Sequence, residues 1–304
     1  MRKTTKGVIL AGGTGSRLYP ITASVNKQLL PIYDKPLIYY PLTTLMLADI
    51  QDIVIVSDLV AGDQIKLALG DGSQWGLRLS YAVQPAPEGI AHGLLMAAEG
   101  LAGHPFALIL GDNIFYRSGL PDQLRRAASR ERGATIFAFP VSEPQRFGVV
   151  VLDENYRPTH LEEKPKAPRS RLAVPGLYFY DERAVELART LKPSARGELE
   201  ITDLNRLYLA AGELFVEPLG RGSAWLDGGT PEDLYKATQF VRVIEERTGL
   251  KIACPEEVAY RRGFISLGEL DRLAAGLKPC SYRDYLTELV ASESTGPTNS
   301  RSIE

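Results

Sequence analysis

The chain has 304 residues, 44% of them hydrophobic and 24% charged, an ordinary composition for a soluble globular protein. Its net charge of −2 argues against nucleic acid as a partner, and its length suffices for one large α/β domain or a domain plus a smaller lobe. Cys254 and Cys280 make neither a disulfide framework nor a zinc-ligand spacing, which fits a reducing, cytoplasmic compartment. The start, Met1–Lys6, mimics the basic head of a signal peptide. Yet the apolar run Val8–Ala11 stops at Gly12-Gly13, too short for its hydrophobic part. No run approaches the roughly 18 apolar residues of a membrane span.

In chain order, Val8–Leu10, Ile53–Val56, Leu79–Val83 and Ala107–Leu110 read as strands, followed by Thr135–Phe139 and Val149–Leu152. Residues 39–48 and 90–101 carry helical periodicity between them. Runs such as Ile53-Val54-Ile55-Val56 are apolar on both faces. With the alternation of strand and helix they predict an α/β fold, a mostly parallel sheet flanked by helices. After about residue 140 shorter strands appear, among them Gly176–Tyr180, mixed with proline-bearing loops. The resulting division is a main domain over 1–240, with halves meeting near residue 140, then a helical appendage over 241–290. Residues 291–304 lack periodicity and are expected to be disordered. There are no internal repeats.

The first strand runs straight into Gly12-Gly13-Thr14-Gly15-Ser16, followed by Arg17 and, ten residues later, Lys27. Three glycines let the backbone turn tightly and bring N–H groups close to an anion. Two cations beside such a loop suit a ligand with several negative charges, such as a nucleoside triphosphate. A dinucleotide fingerprint is excluded because Leu18 stands where its third glycine would fall, and no P-loop motif occurs. Asp112 follows Phe106–Gly111, a place suited to holding a metal at a strand's carboxyl end. It also reads as a turn that caps the strand exit. Asp227, at the end of Ala224-Trp225-Leu226, is the partner candidate.

The loop, followed by Lys27-Gln28-Leu29-Leu30-Pro31-Ile32, resembles the signature of sugar-1-phosphate nucleotidylyltransferases. Residues 33–41 (YDKPLIYYP) resemble one branch, the glucose-1-phosphate thymidylyltransferases of deoxysugar biosynthesis. Similar blocks recur at residues 69–77 (LGDGSQWGL), 111–116 (GDNIFY), 161–165 (LEEKP), 176–181 (GLYFYD), 192–203 (KPSARGELEITD) and 254–259 (CPEEVA). The resemblance spans roughly residues 5–285. It implies a Rossmann-like sheet with a sugar-binding β elaboration and a small C-terminal helical region. The activity it implies converts dTTP and glucose 1-phosphate to dTDP-glucose and pyrophosphate. That is a first step toward dTDP-deoxysugars such as dTDP-rhamnose.

Residue by residue, the resemblance makes Asp112 and Asp227 ligands of Mg²⁺. Arg17 and the loop N–H groups would hold the triphosphate, with Lys27 against the α-phosphate. Lys164 and Arg196 would fix the sugar phosphate. Gln28, Gln84 and Gly89 would meet the pyrimidine. Glu163, Gly148 and Val174 would meet the sugar, and Asn113 the sugar or ribose. Arg221, Glu257 and Arg261 match a second, regulatory nucleotide site that would bind a dTDP-sugar, expected in a homotetramer.

The chain departs from the branch beside the sugar, where Phe147 replaces a usual Tyr and Pro175 a usual Thr. Asn26 replaces a common Ser, Gly228 a Thr and Ser223 a Tyr. These changes leave the metal and phosphate positions intact but weaken the acceptor's identity, so a sugar-promiscuous enzyme is an alternative; a UTP-using enzyme is another, because the thymine methyl discriminates by only ~1 kcal/mol of packing. A non-catalytic sugar-nucleotide sensor would be expected to lose an aspartate, Arg17 or Lys27, and all four are present. A glycosyltransferase is disfavoured because Asp112-Asn113-Ile114 lacks an Asp-x-Asp motif.

Overall fold

The computed structural model describes residues 5–13 and 15–294. Its strands are β1 (Lys6–Leu10), the small hairpin β2 (Pro31–Ile32) and β3 (Lys35–Pro36), β4 (Asp52–Ser57), β5 (Arg78–Val83), β6 (Phe106–Leu110) and β7 (Asn113–Tyr116). They continue as β8 (Ala134–Pro140), β9 (Gly148–Leu152), β10 (Pro158–Glu163), β11 (Leu172–Ala173), β12 (Leu177–Tyr180), β13 (Leu214–Pro218) and β14 (Ala224–Asp227). Ten of them form one sheet in the order β10-β9-β11-β8-β12-β6-β1-β4-β5, with β13 paired to β8.

The strands β5-β4-β1-β6 are parallel, and β12 enters antiparallel between β6 and β8. Side chains alternate strictly between two cores. Ile9, Ile53, Ile55 and Ile109 face one, and Val8, Val54, Val56 and Leu108 face the other. The first core is covered by helices Tyr39–Leu47, Leu59–Leu69 and Leu120–Ala128 and by the C-terminal helices. The second is covered by Ile90–Met96, Ala184–Arg189 and Ile201–Ala210.

The elaboration after residue 140 belongs to the same sheet. Between the pairs Ala173↔Phe139 and Tyr178↔Ile136, five steps along one strand face three along the other. That bulge carries Val174-Pro175-Gly176 to the sheet's carboxyl edge. Two expected elements differ in detail. The stretch 90–101 divides into helices Ile90–Met96 and Ala98–Leu101, because Ala97 closes the first with a tight turn onto Leu94. The helix Pro231–Thr248 runs uninterrupted through the expected domain boundary at 240. The expected disordered end is also shortened, because residues 291–294 complete the helix Ser281–Ser294; 295–304 lie outside the described residues.

One charged cluster ties the appendage to the main domain. Lys35, with a side chain 1% exposed, pairs with Glu245 at 2.7 Å and with Asp34 at 2.5 Å. Lys251 pairs with the same two carboxylates, and Glu245 also accepts a hydrogen bond from the Ile252 backbone N–H at 2.8 Å. Buried charges of this kind are tolerated only as a closed set. Glu245→Ala, which leaves Lys35 short of a partner, is expected to lower unfolding stability by about 3 kcal/mol, measured by urea denaturation.

Candidate active site

β6 ends at Leu110, and the turn Gly111-Asp112 leads at once into β7. β7 pairs antiparallel with β14 in the register Asn113↔Asp227, and the Gly228 N–H donates to the Asp112 carbonyl at 2.9 Å. This short ribbon brings Asp227 beside Asp112 at the carboxyl end of the sheet. Lys27 stands on a single 3₁₀ turn whose cap is Asn26, its Oδ1 accepting from the Gln28 N–H at 2.8 Å. The replacement of Ser by Asn at 26 therefore keeps a competent cap.

Lys27 Nζ forms an ion pair with Asp112 Oδ2, and the Asn113 amide donates to Asp112 Oδ1 at 3.0 Å. Burial acts to raise the Asp112 pKa, but the Lys27 charge and these hydrogen bonds outweigh it and hold the carboxyl below its usual range. Asp227 has no such partner. Burial first, and then the Asp112 charge, push its pKa up to about 6, and its Oδ1 is buried without a hydrogen bond. An orphaned carboxylate oxygen beside an ionised one is what a divalent cation would satisfy. No group of three or more His, Cys, Asp or Glu suited to a metal occurs among the described residues. Two carboxylates would thus have to share the ion with substrate phosphates and water.

A cleft of about 220 Å³ gathers Gly12, Gly13, Lys27, Gln28, Gln84, Gly89 and Asp112. Gly13 has φ +111° and Gly15 φ +58°, conformations that favour glycine. Thr14 lies outside the described residues. Ser16 opens a short 3₁₀ turn that carries the exposed Arg17. Arg17 and Asp227 approach each other across Gly229, where a Cβ would fall 2.8 Å from both a guanidinium nitrogen and Asp227 Oδ1. The Gln28 side chain is buried, and its Oε1 lacks a partner. The Gln84 amide contacts the Gly89 carbonyl and His92.

The sugar candidates gather on β9 and β10, at the far edge of the same sheet, and just after β11. Glu163 pairs with Gly148 across β9 and β10, and the Val174 N–H donates to the Gly148 carbonyl at 2.8 Å. Lys164 holds φ +42°, a strained conformation for a side-chain-bearing residue, and its N–H donates to the Phe147 carbonyl. Two expected ligands are already engaged. Arg196 is ion-paired to Glu163, Glu198 and Glu200, so its charge is largely answered by protein carboxylates. Asn113 Oδ1 accepts from the Gly176 N–H at 3.0 Å and the Trp225 indole at 2.6 Å, which makes this buried amide a brace for the site.

Phe147 packs edge-on against Trp225, ring centroids 4.9 Å apart. Among the expected regulatory residues, Glu257 and Arg261 form an ion pair that Tyr285 joins, and Arg221 lies exposed in the turn after Gly220. No hydrogen bond or ion pair among the described residues links Arg221 to them. Trp225, Gly229 and Thr202, whose hydroxyl donates to Glu163, were not singled out in the sequence. For Trp225 the signal was its place two residues before Asp227, on the same face of a strand.

Phosphate-compatible glycines, cations and paired carboxylates at the carboxyl edge of a parallel sheet define a nucleotide-binding α/β enzyme. The nucleotidyl transferase family model matches residues 6–243. A glucose-1-phosphate thymidylyltransferase of Xanthomonas campestris pv. campestris strain B100 is 54% identical over 93% of this chain and 96% of its own length. One from Mycolicibacterium smegmatis is 51% identical over 95% of this chain and all of its own. A Bacillus anthracis structure of that assignment, in complex with a sucrose, superposes with a TM-score of 0.73 at 40% identity. It covers 79% of this chain and 96% of that one. A UDP-glucose pyrophosphorylase complexed with UDP-glucose gives a TM-score of 0.69 at 26% identity, over 79% of this chain and 99% of that one. The chain belongs to the nucleotidyl transferase family, in its glucose-1-phosphate thymidylyltransferase branch.

The two carboxylates have opposite pH signatures. With a folded-state pKa of about 6, Asp227 favours the metal-free fold while protonated. That contribution declines as pH rises from about 4 through 6, on the order of 3 kcal/mol in all. A divalent cation held by Asp227 would need the ionised form, so a rise in Tm on adding Mg²⁺ would be expected to grow between pH 5 and 7. Asp227→Asn protein should show no such growth.

Proposed function

We propose that this chain joins dTTP to α-D-glucose 1-phosphate, giving dTDP-α-D-glucose and pyrophosphate. The observation that carries the reading is the cleft itself, in which the glycine loop, Lys27, Gln28, Gln84, Gly89 and Asp112 meet. Identity above 50% to thymidylyltransferases along nearly the whole chain supports the substrates. In the reaction a sugar-phosphate oxygen forms a bond to the α-phosphorus. The bond from that phosphorus to the bridging oxygen breaks in line, and the electron pair leaves with pyrophosphate.

Catalysis of this kind is positioning plus charge stabilisation. Asp112 and Asp227 would hold Mg²⁺, which when bound neutralises charge developing on the α-phosphate. Lys27 lies against Asp112, where it can shift toward that phosphate, and Arg17 would steady the leaving pyrophosphate. The unpartnered Oε1 of Gln28 offers an acceptor to an N–H on a pyrimidine edge. Lys164, aimed by its strained backbone, would meet the acceptor phosphate. Arg196 would contribute to that subsite through whichever N–H groups its carboxylates leave available.

The reading extends to a place at the head of dTDP-deoxysugar synthesis in the cytoplasm, and to a homotetramer inhibited by a dTDP-sugar. The match of Arg221, Glu257 and Arg261 to the family's regulatory positions supports the regulatory part. A uridylyl or broadened-acceptor enzyme is the second reading. Its broadened-acceptor form is favoured by Phe147, which brings no phenolic donor to the position beside Gly148.

Pyrophosphate release with Mg²⁺ and glucose 1-phosphate is expected to be fastest with dTTP among dTTP, UTP, CTP, ATP and GTP, and to vanish without the sugar phosphate. UTP as the best donor would select the second reading. In the same assay Asp112→Asn is expected to lower turnover by roughly 10²–10⁴. Lys164→Ala is expected mainly to raise the KM for glucose 1-phosphate, because a positioned cation binds ground and transition states alike. A change confined to the nucleotide KM would place Lys164 on the other substrate.

A further inference from the structure

A second cleft, of about 180 Å³, opens beside Asp227. One wall is the loop leading into β9, with Val141, Glu143, Arg146 and Phe147. The other is Trp225 and Asp227 on β14, with Asp233 and Lys236 on the following helix. Two contacts cross this cleft: the Phe147 ring meets Trp225 edge-on, and an Arg146 guanidinium nitrogen donates to Asp233 Oδ2 at 3.3 Å. Asp233 is itself held in place. Thr230 caps the helix by accepting from the Asp233 N–H at 3.1 Å and donates its hydroxyl to Asp233 Oδ2 at 2.6 Å. Arg146 also lies over the Phe147 ring, 5.5 Å from its centroid, and makes a local contact to Glu143 at 3.4 Å.

The two ends of this bridge belong to the two halves of the site. Arg146 is two residues from Gly148, whose carbonyl holds Val174 and whose strand faces Glu163. Asp233 follows Asp227 within one helical turn after Gly228-Gly229-Thr230. The backbone of Phe147 and Gly148 is fixed from the sheet side by Lys164 and Val174. From the opposite side, Arg146 connects it to the helix Pro231–Thr248 and the Phe147–Trp225 contact connects it to β14. A pair whose side chains are 38% and 19% exposed adds little to global stability. Its span, from acceptor strand to metal carboxylate, is where a small displacement matters to in-line attack.

We propose that the Arg146–Asp233 pair is a positioning latch that sets the acceptor subsite against Asp227. The inference rests on the thymidylyltransferase reading and deepens it, because it assigns to the acceptor side a control that the nucleotide cleft does not share.

The test is a double-mutant cycle of Arg146→Ala, Asp233→Asn and the double variant, with Arg146→Lys as the conservative change. Each single variant is expected to lower kcat/KM for glucose 1-phosphate about tenfold, with dTTP affinity within about twofold of the parent. The double variant should match the singles, since both remove one interaction, and Arg146→Lys should recover most of the loss. Additive losses, an equal loss of dTTP affinity, or no loss at all would overturn the latch. So would a loss of activity that tracks a fall in Tm.

Amide hydrogen exchange without substrates keeps this test apart from the reading of the reaction. Exchange in residues 142–148 is expected to quicken in Arg146→Ala. It should not do so in Arg242→Ala, which removes an exposed pair on the same helix. Quickened exchange in a protein that turns over no nucleotide would fail the reading and leave the latch standing. Unchanged exchange would remove the latch whatever the activity.

Discussion

Two carboxylates of like charge sit side by side at this site, and the surrounding structure is arranged to tolerate them. Asp112 is kept ionised by Lys27 and Asn113, while Asp227, short of partners, is left to hold its proton to an unusually high pH. The β7–β14 ribbon enforces the closeness. Its hydrogen bonds run from Asn113↔Asp227 outward, and the Gly228 N–H closes the ladder on Asp112. A ribbon of four residue pairs is short for such a load. Asn113 braces it by tying the Trp225 indole to the Gly176 backbone of the main sheet.

The parallel half of the fold was legible because its physics is local. Strands buried on both faces need unbroken apolar runs, and β1, β4 and β6 announce themselves in that way. Asp112 was legible for a related reason, lying just past the end of such a run. The ribbon was not, because β7 begins two residues after β6 and its pairing with β14 is decided by contacts far apart in the chain. The antiparallel entry of β12 was hidden for the same reason, since Leu177–Tyr180 would look alike in either direction. At the site, residue types suggested ligands, whereas the partners that engage Arg196 and Asn113 emerge only from folding. The continuous helix Pro231–Thr248 shows the opposite failing. It runs on past the boundary expected at residue 240, because one helix serves both regions.

Substitutions beside the sugar take on meaning from their neighbours. Phe147 lacks a phenol yet keeps an aromatic ring against Trp225, which shares a strand face with Asp227. Asn26 preserves a helical cap that Ser would also supply. At Gly228 a Cβ would meet Leu37 at 3.0 Å and Leu234 at 3.3 Å, so the glycine fits the local packing. Phe147 and Pro175 adjoin Gly148 and Val174 on the acceptor side, whereas Asn26 and Gly228 stand next to Lys27 and Asp227 and keep the cap and the packing there.

Glu245 and Lys35 join the far end of the helix Pro231–Thr248 to the hairpin that follows Lys27, while the near end of that helix issues from Asp227. Hairpin, 3₁₀ turn, carboxylate pair, ribbon and helix therefore form a closed frame around the reaction centre. A closed frame distinguishes between places where the chain can be cut. New termini opened in the exposed turn at Asn155 would leave every side of it intact, whereas termini opened at Gly249 would part Glu245 from Lys251 and Ile252. Circular permutation would thus find one tolerant edge of this molecule and one that is structural, although both are surface turns.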